Sequence, residues 1–300
     1  NLDRLRRQQV IPIIIALAGT SALWAMFQLT GSTRGPLYLY NVTNNGAAVG
    51  LFANRNHQAV LLAATIVMLG WYGASHAAKE RLGGLKFYSS LAAIFVIIPL
   101  IFITGSRAGL ILMAPALITA IILIYFGKFM VESQHAAKRY GASAAWYTSR
   151  QTILIASIAL VVTLAALSIY LSRGLAFERL FDQNGVEDLR GQLVVILTKM
   201  MFDYFPAGSG FGSFEHVYRI YEPRELLNPA YLNQAHNDWL QFLIEGGLLA
   251  GFVAAAAVIW TAVQFFLVLR SWKNSQYKKF TAIMAATVCS LFLVASIGDY

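Results

Sequence analysis

The chain has 300 residues, of which 58% are hydrophobic and 12% are charged, and its mean hydropathy is +0.59. Soluble domains carry about 25% charged residues, so this composition excludes a soluble globular fold and predicts an all-α, polytopic helical membrane protein. The net charge of +9 does not indicate nucleic acid binding, because most basic residues lie in short loops between apolar runs.

About seven apolar runs reach the roughly 20 residues that a helix needs to cross a bilayer. These predicted spans are residues 9–29, 57–75, 87–104, 108–127, 151–171, 239–269 and 280–297. One set of alternate connecting segments holds 14 basic residues: Arg4, Arg6, Arg7, Lys79, Arg81, Lys86, Lys128, Lys138, Arg139, Arg150, Arg270, Lys273, Lys278 and Lys279. The positive-inside rule assigns this set to the cytoplasm, which predicts that residues 172–238 form a large extracytoplasmic loop.

The domain organisation follows from these spans. We predict a single membrane domain over residues 1–300 that contains the catalytic loop at 172–238. Its ends are expected to be truncations of a longer protein, because the chain starts without a signal-peptide cleavage site and its last apolar run stops at Ile297. Cys289 is the single cysteine and lies in an apolar run, so neither a disulfide framework nor a cysteine metal cluster is predicted.

Two short extracytoplasmic segments precede the large loop. Residues 30–56 are rich in Gly and Asn and are predicted to form an irregular loop. Residues 104–107 form a very tight turn that sets Arg107 near the membrane boundary, where an arginine must reach the headgroups or an anionic partner. A flanking arginine without catalytic function fits Arg107 equally well at this point.

Inside the large loop, Arg190 to Tyr204 is predicted to form a short amphipathic helix with Arg190 at its start. Its apolar stripe, with spacings of three and four, consists of Leu193, Ile196, Leu197, Met200 and Met201. We expect this helix to lie along the membrane surface or to pack on the spans. Pro206 ends it, and the glycines at 208, 210 and 212 predict a flexible turn.

The loop ends at His236, just before a long apolar run. Asn237 or Asp238 is expected to cap the helix that follows. The run 239–269 would be about 46 Å long as a helix, so its first turns must project above the membrane, or the helix must tilt. Glu245 lies near the boundary on this helix and is expected to face protein or a wet cavity rather than lipid.

Several known catalytic motifs are absent from the sequence. It contains no G-x-x-x-x-G-K-[ST] phosphate loop, no H-E-x-x-H zinc motif and no G-x-S-x-G nucleophile elbow. Metal-dependent and serine-nucleophile chemistry are therefore disfavoured, and no metal site is predicted. The extracytoplasmic side instead offers His236 among many arginines, whose guanidinium groups bind phosphate oxygens in pairs.

At a helix N-terminus the positively charged form of His236 is disfavoured, so we expect a neutral ring that can accept a proton. A structural histidine and a solvated mixture of charges fit the same residues if composition alone is considered.

Four motifs in this order resemble the O-antigen ligase superfamily. They are Phe52-Ala53-Asn54-Arg55-Asn56-His57, the turn Gly105-Ser106-Arg107-Ala108-Gly109, the Pro206-x-Gly-x-Gly-x-Gly-x-Phe214 turn, and His236-Asn237-Asp238-Trp239-Leu240 followed by Glu245-Gly246-Gly247. The resemblance covers about residues 42–300. The superfamily includes lipopolysaccharide O-antigen ligases, O-antigen and exopolysaccharide polymerases, and protein O-oligosaccharyltransferases.

The resemblance implies a multi-pass protein of the bacterial inner membrane with its active site on the periplasmic side. The implied reaction is a metal-independent, cofactor-free and inverting transfer of a glycan from a polyprenyl-diphosphate donor to a hydroxyl of a glycan, lipid or protein. It assigns His236 as the base and Arg107 and Arg190 as ligands of the diphosphate. Weaker substrate-binding candidates are Arg55, Arg173, Arg179, Arg219 and Glu245. Members of the superfamily are usually longer, with more spans upstream.

Three functions remain open from the sequence. A ligase is favoured, and a polymerase with the same chemistry differs only in its acceptor. A membrane transporter ranks lowest, because the chain shows no internal repeat.

Overall fold

The computed structural model describes residues 4–32, 35–41, 43–77, 83–136, 186–224, 234–270 and 276–297. Within these ranges the chain forms helices and no strands, which confirms the all-α prediction. The helices are α1 (Arg4–Thr30), α2 (Arg55–Ala77), α3 (Gly83–Thr104), α4 (Arg107–Ala136), α5 (Val186–Asp203), α6 (Phe214–Tyr221), α7 (Asp238–Arg270) and α8 (Gln276–Ala295).

Six helices of the described part, α1 to α4, α7 and α8, are long and apolar enough to cross a membrane. They correspond to six of the seven predicted spans, with boundaries that differ by a few residues. The predicted span 151–171 lies outside the described residues, as does part of the predicted catalytic loop. Segment 31–54, between α1 and α2, contains neither helix nor strand where it is described, as predicted.

The chain divides into two compact units. The first comprises residues 1–180 and 272–291, and the second comprises residues 181–271 and 292–300. The prediction of a single domain over 1–300 stays a prediction.

In the first unit, α2 and α4 touch through small residues. A Cβ atom added at Gly109 would overlap the Cβ of Ala59, and one added at Gly70 would lie 2.7 Å from the Cα of Ala120. The two contacts are separated by the same number of residues on both helices, so α2 and α4 run parallel. Close backbone approach at Gly and Ala is how membrane helices gain van der Waals contact without a hydrophobic driving force.

Segment 31–54 is fixed to α1 by a buried side chain. Gln28 donates from Nε2 to the carbonyl oxygens of Leu37 and Gly50, both at 3.0 Å. Its Oε1 accepts from the backbone N–H groups of Val49 and Gly50 at 3.1 and 2.9 Å. One side chain within a span thus satisfies four backbone groups of the loop, which is why a loop without regular structure is ordered.

The second unit is built around the predicted amphipathic helix. Leu197 and Met200 of α5 are fully buried, and the rest of the predicted stripe packs against the same core, which confirms the stripe. The core is completed by α6, the start of α7 and the segment before it. Its buried members are Leu197, Met200, Phe214, Val217, Tyr218, Ala235 and Ile244.

Candidate functional site

His236 adopts a backbone conformation that only a few per cent of residues other than glycine adopt. Its φ is +51°, and it is the one residue other than glycine with positive φ in the part of the chain that the structure describes. This left-handed region costs about 1–3 kcal/mol for a residue with a Cβ atom, so it persists only where surrounding bonds enforce it. The ring is partly buried, and its Nδ1 atom is buried.

Hydrogen bonds on both sides of His236 enforce this conformation. On the preceding side, the N–H of Ala235 donates to Oε1 of Gln241 at 3.0 Å. On the following side, the N–H of Asp238 donates to the carbonyl oxygen of Ser296 at 2.9 Å. The N–H groups of the residue directly before the histidine and of the residue two positions after it are therefore held by α7 and by the residue that follows α8.

Asn237 caps α7, as predicted. Its Oδ1 accepts from the N–H of Leu240 at 3.0 Å, and its carbonyl oxygen accepts from the N–H of Gln241, also at 3.0 Å. A side-chain cap of this kind satisfies one of the N–H groups that the first helical turn leaves without a partner in the helix. The cap thus fixes where α7 begins, and with it the position of the histidine one residue before the cap.

The predicted run 239–269 is a broken helix. α7 changes direction at Gly247, whose φ of 56° and ψ of −145° are not helical. Such a combination is essentially restricted to glycine. The break was not predicted from the sequence; the Gly246-Gly247 pair permits it, because glycine adopts such a conformation without a steric clash of a Cβ atom.

The glycine-rich turn after α5 binds this break directly. The N–H groups of Ser209 and Gly210 donate to the carbonyl oxygens of Ile244 and Glu245, both at 2.9 Å, and Leu248 donates to Pro206 at 2.9 Å. These bonds satisfy the carbonyl and N–H groups that the break removes from the helix. The backbone of Pro206, Ser209 and Gly210 is bonded to α7. The flexibility expected of this turn stays a prediction.

Two glycines make this contact possible. A Cβ atom at Gly247 would overlap the backbone of Pro206, Ala207 and Gly208, and one at Gly208 would overlap the backbone of Glu245 and Gly247. Both glycines also have positive φ. The turn and the break therefore touch through main-chain atoms, with no room for side chains.

Glu245 faces the protein interior, as predicted. The residue is 7% exposed, and its Oε1 accepts from the N–H of Phe214 at 3.1 Å, at the first residue of α6. A carboxylate at a helix N-terminus is stabilised by the N–H groups there. The described contact of Glu245 is thus with protein, and its assignment as a substrate ligand stays a prediction.

Arg55 and Arg107 lie at the same end of the parallel pair α2 and α4. Each is the first residue of its helix and is partly buried. Ser106 caps α4, with its Oγ accepting from Gly109 at 2.9 Å, and Asn54 caps α2, with its Oδ1 accepting from Asn56 at 2.8 Å. The first unit thus presents two arginines and two helix N-termini together, an arrangement that favours anions.

The other predicted arginines differ in their positions. Arg190 was predicted to start the amphipathic helix, but α5 begins at Val186, so Arg190 lies in its second turn and away from the N–H groups of the first. Arg219 is exposed on α6 and pairs with Glu215 at 2.6 Å. Arg173 and Arg179 lie outside the described residues.

Two tyrosines near this part of the second unit have perturbed ionisation. The hydrogen bond that Tyr221 donates to Oδ2 of Asp203 at 2.9 Å raises the pKa of its hydroxyl, with smaller contributions from burial and from the charges of Asp203 and Tyr204. Burial, followed by the charge of Glu222, raises the pKa of Tyr218. Both tyrosines therefore stay neutral hydrogen-bond donors near neutral pH.

No group of three or more His, Cys, Asp or Glu residues that could hold a metal ion occurs among the described residues. The predicted independence from metal stays a prediction.

The fold and the sequence together define the class and the family of the chain. The six apolar helices define a polytopic helical membrane protein, in which a capped and strained histidine precedes one broken span. The family described as O-antigen ligase matches residues 92–255, more than half of the chain, and the chain belongs to this family. A search among curated proteins found no match. The matched region contains Arg107, Arg190 and His236.

Proposed function

We propose that the chain transfers a glycan from a polyprenyl-diphosphate carrier to an acceptor hydroxyl at the periplasmic face of a bacterial inner membrane, as an O-antigen ligase does. The observation that carries the proposal is the left-handed backbone of His236, which hydrogen bonds on both sides hold at the start of α7. Enforced strain of this kind clusters at active sites. Membership of the O-antigen ligase family supplies the class of reaction.

In the proposed reaction His236 is the general base. Its ring accepts the proton of the acceptor hydroxyl while the oxygen attacks the anomeric carbon of the donor sugar. The bond from that carbon to the diphosphate oxygen breaks on the opposite face, and the diphosphate leaves with the electron pair. This displacement inverts the sugar and produces a protonated histidine and a polyprenyl diphosphate.

The arginines are proposed to stabilise the leaving diphosphate. Guanidinium groups remain charged beside lipid and bind phosphate oxygens in pairs, which places positive charge where negative charge develops. Arg107 fits this role because it starts α4, whose N-terminus also favours an anion. Arg190 and, as weaker candidates, Arg55, Arg173, Arg179 and Arg219 are the other groups proposed to bind substrate, and no metal ion is required.

The direct test replaces the side chain of His236 with one that permits the same backbone conformation. His236→Asn keeps a residue type that tolerates positive φ but cannot accept the proton, so transfer is expected to fall by about 10²–10⁴-fold. His236→Ala is expected to reduce transfer by the same factor. The matched control is His216→Ala, which removes an exposed histidine of α6 and should keep wild-type activity.

Transfer is measured with membranes, a lipid-linked donor and a labelled acceptor, with and without a chelator. Full activity of His236→Asn at wild-type protein levels would overturn the assignment of the base. Loss of wild-type activity in the chelator, restored by a divalent metal, would overturn the metal-independent mechanism.

The glycolipid profile of a deletion strain separates a ligase from a polymerase. A ligase predicts that lipid-linked polymer accumulates, whereas a polymerase predicts that no glycan longer than one repeat unit forms. Complementation by His216→Ala but not by His236→Asn would connect either phenotype to the histidine.

A further inference from the structure

α5 carries exposed apolar residues opposite its buried face. The face described above is buried against α6 and α7. On the opposite face, Val195 is 70% exposed and Phe202 is 67% exposed, and their spacing of seven residues aligns them along the helix. A surface helix normally pairs one apolar face with a polar one, so a second apolar face indicates a second apolar environment.

Two further exposed aromatic residues lie in the segment that follows α5. Phe205 directly precedes Pro206 and is 55% exposed. Phe211 directly follows Gly210 and is 70% exposed. The ring of Phe211 lies 5.6 Å from that of Phe242 on α7, so its position on the unit is fixed. We name Val195, Phe202, Phe205 and Phe211 the exposed apolar face.

The break in α7 sets the depth of the glycine-rich turn and of the residues that flank it. From Leu248 to Arg270 the helix is about 34 Å long, close to the roughly 30 Å of a bilayer hydrocarbon core. The span ends at Arg270, a residue that favours the boundary on the cytoplasmic side. The break at Gly247 therefore lies at the opposite boundary.

The glycine-rich turn lies at the same boundary, because its bonds to Ile244, Glu245 and Leu248 are direct. Phe205 and Phe211 flank this turn. Next to the turn, Leu248 and Leu249 of the span are 44% and 74% exposed, so the apolar surface of the unit continues into the span.

We propose that the exposed apolar face inserts into the boundary between lipid headgroups and acyl chains and anchors the histidine-bearing unit on the bilayer. The occupant is lipid because Phe205 and Phe211 flank a turn that lies at the depth of the end of a membrane span, next to the exposed Leu248 and Leu249 of that span. Lys199 lies between Val195 and Phe202 in the sequence and is exposed, with its ammonium group 5.9 Å from the centroid of the Tyr221 ring on α6.

This proposal does not depend on glycan transfer, and its test measures depth rather than activity. In a Cys289→Ser background, a nitroxide label is attached to Val195→Cys, Phe202→Cys and, as the matched control, His216→Cys. All three positions are exposed, so the label should be tolerated. The full chain is reconstituted in vesicles of phosphatidylethanolamine and phosphatidylglycerol.

Collisions of each label with oxygen, which concentrates in the bilayer, and with a neutral nickel chelate, which stays in water, are measured by electron paramagnetic resonance. We expect the oxygen-to-nickel ratio at Val195→Cys and Phe202→Cys to be several times that at His216→Cys. Equal access of nickel to all three labels would overturn the proposal. Low access of both reagents at Val195→Cys and Phe202→Cys would also overturn it, because protein would then cover the face.

Discussion

Two segments outside the spans are ordered in different ways. Segment 31–54 of the first unit is bonded to Gln28, a side chain within α1 that satisfies four backbone groups of the loop. The glycine-rich turn of the second unit is bonded to the backbone of α7, at carbonyl and N–H groups that the break at Gly247 exposes. In the first case the span remains intact, and side chains of α1 make the connection: Gln28, and also Ser21, whose Oγ accepts from the N–H of Leu51 at 3.0 Å. In the second case the span itself is broken.

The comparison shows two solutions to the same requirement. Backbone polar groups near the hydrocarbon core must be satisfied by protein, because lipid cannot do so. In both solutions glycine occupies the points of closest approach, at Gly50 beside the side chains of Ser21 and Gln58 in the first, and at Gly208 and Gly247 between main chains in the second. The second solution joins main chain to main chain at the break in α7, the helix that the predicted catalytic histidine precedes. We expect substitutions to distinguish the two regions accordingly.

The largest loss of stability is expected for a substitution at Gly247, where α7 breaks. Gly247→Ala forces a Cβ atom onto the backbone of Pro206 to Gly208 at a φ that alanine rarely adopts. The combined strain and overlap should cost about 3–5 kcal/mol, measured as a lower midpoint of thermal unfolding in detergent. Gly210→Ala is the control, since its φ of 97° is also positive but its Cβ would meet nothing within 4 Å. Equal midpoints for the two variants would contradict the described contact.

A smaller loss of stability is expected when the hydrogen bonds of the Gln28 side chain are removed. Gln28→Leu keeps an apolar volume but leaves buried loop groups without partners, which should cost about 2–3 kcal/mol. Because these bonds hold segment 31–54, we expect limited proteolysis to cut that segment faster while α5 to α7 remain protected. Thr20→Val is the control, because its exposed hydroxyl bonds only to Ala16 of its own helix. Unchanged proteolysis of Gln28→Leu would show that other contacts hold the loop.

A substitution between α2 and α4 should lower the midpoint of unfolding less than a substitution at the break in α7. Gly70→Ala places a methyl group 2.7 Å from the Cα of Ala120, and separating α2 from α4 should cost about 1–2 kcal/mol. The control is Gly19→Ala in α1, where nothing lies within 4 Å, so the midpoint should stay equal or rise. A Gly70→Ala midpoint that matches the control would mean that α2 and α4 tolerate wider spacing.

The smallest change in stability is expected when the pH is raised. The pKa of Tyr221 is raised in the folded chain, so its bond to Asp203 contributes stability that is present below the ordinary value of 10.0 and is lost as pH rises through the folded pKa. Asp203→Asn should lower the pKa of Tyr221 toward its ordinary value, as read from the difference in tyrosinate absorbance against Tyr221→Phe. An unchanged titration would assign the raised pKa to burial instead.

Much of the candidate site could be predicted from local patterns. The spacing of Leu197 and Met200 predicted the buried stripe, and Asn237 or Asp238 was predicted as a cap because both lie directly before an apolar run; the structure has Asn237 as the cap. Glu245 was predicted to face protein or a wet cavity rather than lipid, and it contacts protein. These signals act within one or two helical turns, so a single sequence contains them.

The start of α5 was predicted four residues too late, because the polar residues before Arg190 resemble the loop that precedes them. The sequence also did not establish whether two groups of candidate residues act together. The arginines of the first unit and the histidine of the second were assigned to one reaction by resemblance, and their joint action stays a prediction.

The sequence by itself determined the class of protein and the positions of six spans. Apolar runs of sufficient length can only be helices in a bilayer, and the positions of Lys and Arg residues predict their orientation. Only the tertiary structure decided where α7 breaks and how His236 is held. The bond between Ser209 and Ile244 joins residues 35 positions apart, and Ser296, which holds the other side of His236, follows a different helix. Strain at one residue depends on such distant partners, so no local pattern encodes it.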